Sequence, residues 1–256
     1  MKKRIFIALA LVCVFTCAFV LTACSEGMYN NPAWNMKGEE VTNEEWEAAF
    51  AEDNFTNVKM EITVFQVGKY VKKDGTTEDI DVTMKTTVII ADNVHYYKQT
   101  NTVNKGSQEV KDEANASAKE GYFTKGTAGY TVVYKDDDGK WATDTVFSSV
   151  AADMLARYLA YGTLRSGFKY DAEQYCYMAD LSSESIEWEI LKELSGVRLK
   201  FQGGKYAAFF NDVGISEAHT ETNGNETTTT YEDIGRIVTA VVFTYGGQKL
   251  TVPTVA

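Results

Sequence analysis

A chain of 256 residues with 36 acidic and 25 basic side chains carries a net charge of −11. It lacks the excess of Lys and Arg that displaces counterions from phosphates, which argues against nucleic acid as a partner. At 45% hydrophobic residues it can bury a core of its own, while four cysteines and two prolines exclude a disulfide scaffold or a low-complexity chain.

The first residues are a leader. Lys2, Lys3 and Arg4 precede the apolar run Ile5 to Val20, the pattern of a secretory signal peptide. Leu21-Thr22-Ala23-Cys24 then resembles the lipobox of bacterial lipoproteins. The resemblance implies a diacylglyceryl thioether on Cys24 and cleavage after Ala23, so that residues 1–23 are a lipoprotein signal peptide. The alternative is an uncleaved anchor, since Ile5 to Ala23 is nearly long enough to span a bilayer. Either way the rest of the chain lies outside, on the extracytoplasmic face of the cell membrane. Beyond residue 23 there remain 22 basic and 36 acidic residues, a net of −14. That excludes a polybasic grip on anionic lipid. Acyl chains, at about 0.8 kcal/mol per buried methylene, must then supply the attachment. Cys13 and Cys17 leave with the leader, and Cys176, in Tyr175-Cys176-Tyr177, reads as a buried strand thiol.

Residues 24–40 read as a tether, with the domain proper over 41–256. From Ala33 to Val252 there is no proline, which suits strands that need all their backbone donors. Thr42 and Glu45 have capping-box spacing and Val41 and Trp46 hydrophobic-staple spacing, predicting a helix over 43–52 with Trp46 as a core plug. Val58, Met60, Ile62 and Val64 then alternate with polar residues. Ile80, Val82, Met84, Thr86, Val88 and Ile90 do the same after a turn at 73–75, and 94–98 pairs back, giving an antiparallel meander. Residues 100–120, nearly free of large apolar side chains, read as a solvated loop or hairpin tip. Strands resume at 122–123 and 130–134, and Asp136-Asp137-Asp138-Gly139 reads as a hairpin turn rather than a calcium loop.

The longest helix is expected over 145–161, capped by Asp144 or Thr145 and ended by Gly162. Phe147, Val150, Ala151, Met154, Leu155 and Tyr158 lie on one face, which would cover the sheet. Hairpins follow at 168–178 and 197–210. Residues 184–195 alternate like a strand but also fit a helical face, the reading favoured here. A polar, Thr-rich tract over 217–231 has Asn223-Gly224 as a second turn, and strands at 237–245 and 249–252 close the chain. The class is α+β: one domain with a large antiparallel sheet packed on one long and one or two short helices.

This order of elements, with Glu45-Trp46-Glu47-Ala48-Ala49-Phe50, Phe201-Gln202-Gly203-Gly204-Lys205 and Leu250-Thr251-Val252-Pro253, resembles the LolA/LolB-type and LppX/LprG-type lipoprotein carriers. The resemblance implies a curved half-barrel wrapped over helices, with an apolar cavity for acyl chains and no catalytic residues.

The residues themselves offer no catalytic chemistry. His95 and His219 lack partners at metal-ligand spacing, there is no phosphate loop or Gly-x-Ser-x-Gly elbow, and Glu39-Glu40 and Asp79/Asp81 read as solvated acids. No enzyme, metal or cofactor is expected. Two roles remain. A carrier of a lipid or other amphiphile would line its cavity with Met60, Ile62, Val64, Met84, Val88, Met154, Leu155 and Tyr158. A surface-displayed protein-interaction module would pack those same residues into a closed core. An apolar void between sheet and helix favours the first, a filled interior the second. No protein partner is identified by the sequence. Replacing Cys24 with Ala should move the protein from the membrane to the soluble fraction without unfolding it; continued membrane attachment on fractionation would favour the anchor.

Overall fold

Period-two alternation from Val58 onward builds strand β1 (Asn57–Val71), and the computed structural model, which describes residues 31–223 and 226–255, places it at the centre of the sheet. The leader, Cys24 and part of the Asn223-Gly224 turn lie outside the described residues. The remaining strands are β2 (Thr77–Ala91), β3 (Val94–Lys105), β4 (Glu120–Lys125), β5 (Tyr130–Lys135) and β6 (Trp141–Val146), then β7 (Phe168–Asp171), β8 (Cys176–Ala179), β9 (Val197–Gln202), β10 (Lys205–Asn223) and β11 (Glu226–Tyr245). All pair antiparallel in the order β6-β5-β4-β3-β2-β1-β11-β10-β9-β8-β7. Two meanders are thus joined where the first strand meets the last, in the register Met60↔Phe243 and Ile62↔Val241. The sheet stays open, with β6 and β7 as its edges.

Alternation then assigns the faces. The inner face carries Met60, Val88, Leu199, Phe209, Val241 and Phe243 in the main core. The outer face carries a smaller cluster of Ala208, Phe210, Val238 and Ala240, covered by Ala33 and Met36. Five α-helices accompany the sheet among the described residues: α1 (Pro32–Asn35), α2 (Asn43–Ala49), α3 (Gln108–Ser117), α4 (Val150–Leu159) and α5 (Trp188–Glu193). The antiparallel, sheet-dominated architecture agrees with expectation, but the helices are shorter than the sequence implied.

The capping box of α2 forms as read, with Glu45 N–H donating to Thr42 Oγ1 and Thr42 N–H to Glu45 Oε2. It sets Trp46 at the centre of the core, wholly buried, with ring centroids of Phe201, Tyr177 and Phe50 at 4.9, 5.2 and 5.4 Å. Its Nε1 donates to Gly162 O at 2.9 Å, and the Arg165 guanidinium lies 5.2 Å from the ring. Gly162 is needed there, because a Cβ would stand 2.6 Å from the Phe50 ring.

Four expectations are corrected. The stretch 24–40, read as a tether, is docked from Asn31 onward: Ala33 is buried against the outer face. Lys200, itself buried, donates to the carbonyls of Trp34 and Met36 at 2.5 and 2.8 Å. A polar stretch without hydrophobic period hides such docking, because backbone carbonyls and one lysine do the holding. Residues 100–120 are not a loop. β3 runs to Lys105 and α3 follows, held by Asn101 Nδ2 donating to Ala114 O and Ser117 Oγ, and by Ser107 donating to Glu78. Only Val110 is buried in α3, so the helix leaves almost no apolar stripe to read. The helix expected over 145–161 starts after Ser149, whose Oγ accepts from Ala152 N. β6 takes residues up to Val146, Phe147 is 96% exposed, and the chain passes Gly162 in 3-10 turns to Gly167. Finally, residues 249–252 form no strand.

Elsewhere the elements agree in type, with the first helix ending at Ala49 and the helix near 190 starting at Trp188. Residues 188–196 are helical, the β7–β8 and β9–β10 hairpins form, and Asp136 Oδ1 accepts from Asp138 N and Lys140 N in the turn at Gly139. The Thr-rich tract proves to be strand, since β10 and β11 pair out to Asn223↔Glu226. Trp46→Ala should lower the unfolding free energy by about 3–5 kcal/mol, the range for deleting a buried aromatic, measured by denaturant titration of the full chain. A loss below about 1 kcal/mol would contradict its central place.

Candidate functional site

The inner face is where the expected lining residues fall. Met60, Ile62, Val88 and Leu155 are buried in the main core, and Val64, Met154 and Tyr158 are half-buried against it. Tyr158 sets its ring edge-on to Phe209 at 5.1 Å and Phe243 at 6.2 Å, so aromatic rings meet beneath α4. Met84 stands apart, half-buried on β2 opposite Val64.

Val64 and Met84 begin a second region. Gln66 pairs with Val82 on one side and Ile237 on the other, Ile237 pairs with Val213, and Ile215 follows in the next inner-face row. Val82, Val213, Ile215 and Ile237 are all half-buried. The inner face therefore continues past α4 as a partly exposed apolar floor, reaching toward Ile80 and Val110 at α3. Val213, Ile215 and Ile237 were not singled out from sequence. Their period-two spacing was the available signal, masked by the polar tract beside them.

The floor ends at a row of irregularities. Gly68 and Gly235 face each other across β1 and β11, and a Cβ on either would meet the opposite strand's backbone at 2.4–2.5 Å. The same row holds the register shifts at Asp81/Val82 and Ile215/Ser216. Pairing between β1 and β11 stops there, so β1 continues with β2 alone and β11 with β10 alone. The two ribbons are linked by a Lys69–Glu232 ion pair at 3.6 Å. Residues 215–234 carry five acids and neither Lys nor Arg.

The contact closest to a nucleophile–base pair is His95 Nδ1 with Ser149 Oγ at 2.9 Å. Both side chains are buried, Ser149 completely, so no substrate reaches them from solvent. The bond works as a clamp: Ser149 Oγ shares a hydrogen bond with His95 Nδ1 and accepts from Ala152 N, fixing the start of α4 on β3. Burial, aided by the Lys125 charge, pushes the His95 pKa down. Cys176 is likewise buried, and burial pushes its thiol up, as suits an inert group. The His219 side chain lies outside the described residues. Among the described residues, no three His, Cys, Asp or Glu side chains gather to hold a metal, and no helix is long and apolar enough to cross a membrane.

Two surface clefts lie elsewhere. One, of about 310 Å³, is lined by β7–β8 residues including Lys169, Asp171 and Asp180; the other, of about 330 Å³, by Lys98, Lys119, Glu120, Lys135 and neighbours. Neither touches any of the eight expected lining residues.

No family model matches the chain, and no curated protein matches it. Among solved structures, that of outer membrane protein AlkL in DMPC lipid bilayers aligns with 77% of this chain and 94% of its own, at 8% identity and a TM-score of 0.14. Agreement at that level carries no argument about fold or function.

Because folding keeps His95 neutral and lowers its pKa below the unfolded value near 6.5, its contribution to stability is full above that pH. It is lost as the pH falls through the folded pKa. Unfolding midpoints should therefore drop between pH 7.5 and 5.5, and His95→Gln should flatten that drop; equal slopes would rule out His95 as its source.

Proposed function

We propose that this chain is an extracytoplasmic lipoprotein, held to the membrane by acyl chains on Cys24, that displays its sheet to a protein partner. The carrier-like half-barrel resemblance then describes a scaffold whose interior is used for packing. One observation carries this reading: the space beneath α4 is filled by Tyr158, Phe209 and Phe243 together with Leu155 and Met60. A carrier needs an apolar cavity of some 300–1,000 Å³ that encloses most of its ligand. The two surface clefts are of the smaller size, but charged side chains border both. The long strands and the half-buried apolar floor around Val64, Met84 and Ile237 instead offer a broad surface, which suits a polypeptide better than an acyl chain.

The test is a photo-crosslinking residue in place of Met84 in the full chain, illuminated in the native membrane. Adducts should shift in mass by that of a protein and disappear when Ile237→Glu is added. Adducts carrying lipid alone would return the floor to the carrier reading.

A further inference from the structure

We propose that the domain rests on the bilayer through one corner of its outer face, formed by Trp34, Lys37 and Tyr175, with the lipid surface as the occupant. The proposal rests on the reading of Cys24 as the acylated residue. It begins with reach. Six residues separate Cys24 from Asn31. Even fully extended, that span covers at most about 25 Å. A folded unit of this length is roughly 45 Å across, so surfaces on the far side lie beyond the anchor.

At Asn31 the chain is already fixed. Asn31 Oδ1 accepts from Trp34 N at 2.8 Å, and the Trp34 ring lies on Phe210 with centroids 4.7 Å apart. Lys200 Nζ binds the carbonyls of Trp34 and Met36, and Gly38 N donates to Tyr175 O at 2.9 Å. Gly38 sits tightly, because a Cβ would approach Tyr175 O to 2.7 Å and Lys200 Cβ to 3.0 Å. Buried Lys200 and Gly38 therefore tie exposed Trp34 and Tyr175 to the same part of the sheet, within reach of the proposed anchor.

That surface has the chemistry of a membrane interface. Trp34 remains 36% exposed and Tyr175 41% exposed, although other buried sites in the fold accept large aromatic rings. Tyr175 is held out on a left-handed turn, φ 53°, between β7 and β8. Lys37 Nζ lies 4.7 Å from its ring centroid, an apolar stem ending in a charge beside an amphipathic ring. Rings with polar tips and snorkelling lysines settle at the level of lipid headgroups. The acids Glu40 and Glu173 are exposed nearby, so ring insertion rather than net charge supplies the attraction, and zwitterionic lipid suits the corner.

The test uses the full lipidated chain in phosphatidylcholine vesicles, with an environment-sensitive fluorophore on Asn35→Cys or, as the distant control, on Asp137→Cys. Cys176 is buried and does not compete for label. Headgroup-level doxyl lipid should quench the label at 35 about threefold more than the label at 137, by the distance limit above. Tyr175→Asn should reduce that difference with the bound fraction unchanged. Equal, weak quenching at both positions on vesicle-bound protein would overturn the orientation while leaving the anchor intact. A label at 35 shielded from aqueous iodide but untouched by doxyl lipid would assign the corner to a protein and overturn it too. Failure of the protein to stay on the vesicles at all would overturn the Cys24 reading instead.

Discussion

The pairing of β1 with β11 is the constraint on which the rest depends. Each meander is local in sequence, built from hairpins whose turns fix their register. The long-range join between Val58–Gly68 and Gly235–Tyr245 turns two half-sheets into one and brings Met60 and Ile62 beside Phe243 and Val241. The join makes one inner face of two halves, with Trp46 packed against Tyr177 and Phe201 in the second meander and Tyr158 of α4 against Phe209 and Phe243. The ordering cost of so distant a closure is offset by the apolar surface it removes from water. Gly68 and Gly235 end the pairing by close backbone approach, so the strands that make the core also decide where it stops.

Around that join the two faces have different work. Beneath α4 the inner face is closed by aromatic packing and by the His95–Ser149 clamp, and beyond α4 it stays partly exposed. The outer face is closed by a short N-terminal segment whose carbonyls are taken up by a buried lysine. A lysine buried this way is costly unless its ammonium is hydrogen-bonded, and Trp34 O and Met36 O meet that requirement. Burial lowers the Lys200 pKa, the expected direction for a cation drawn out of water. The same contacts that cover the outer face also hold Trp34 and Met36 to the sheet.

Much of this was legible in the residues. The alternation from Val58 to Ile90, the Thr42–Glu45 capping box and the hairpin at Asp138-Gly139 are local signals, and local hydrogen bonding realises them. The pattern misled where two local preferences competed. Thr145 was expected to cap or open the helix, but pairing with β5 took it and Val146, leaving Ser149 to cap α4. α3 escaped notice because polar side chains rather than an apolar stripe hold it. Of the eight residues expected to line a cavity, the apolar character was plain, but apolar residues line a void or fill a core with the same periodicity.

By itself, then, the sequence determined the antiparallel character of the domain, the turns at 73–75 and 138–139 and its central tryptophan, because each depends on neighbours within a few residues. The tertiary structure decided which strand sits at the centre, that the sheet remains open, that residues 31–40 are docked, and that aromatic rings meet beneath α4. Those outcomes are set by contacts between residues distant in sequence, such as Lys200 with Trp34, Trp46 with Gly162 or Tyr158 with Phe243. No local period encodes them, because their free energy comes from surfaces that meet only after the meanders have joined.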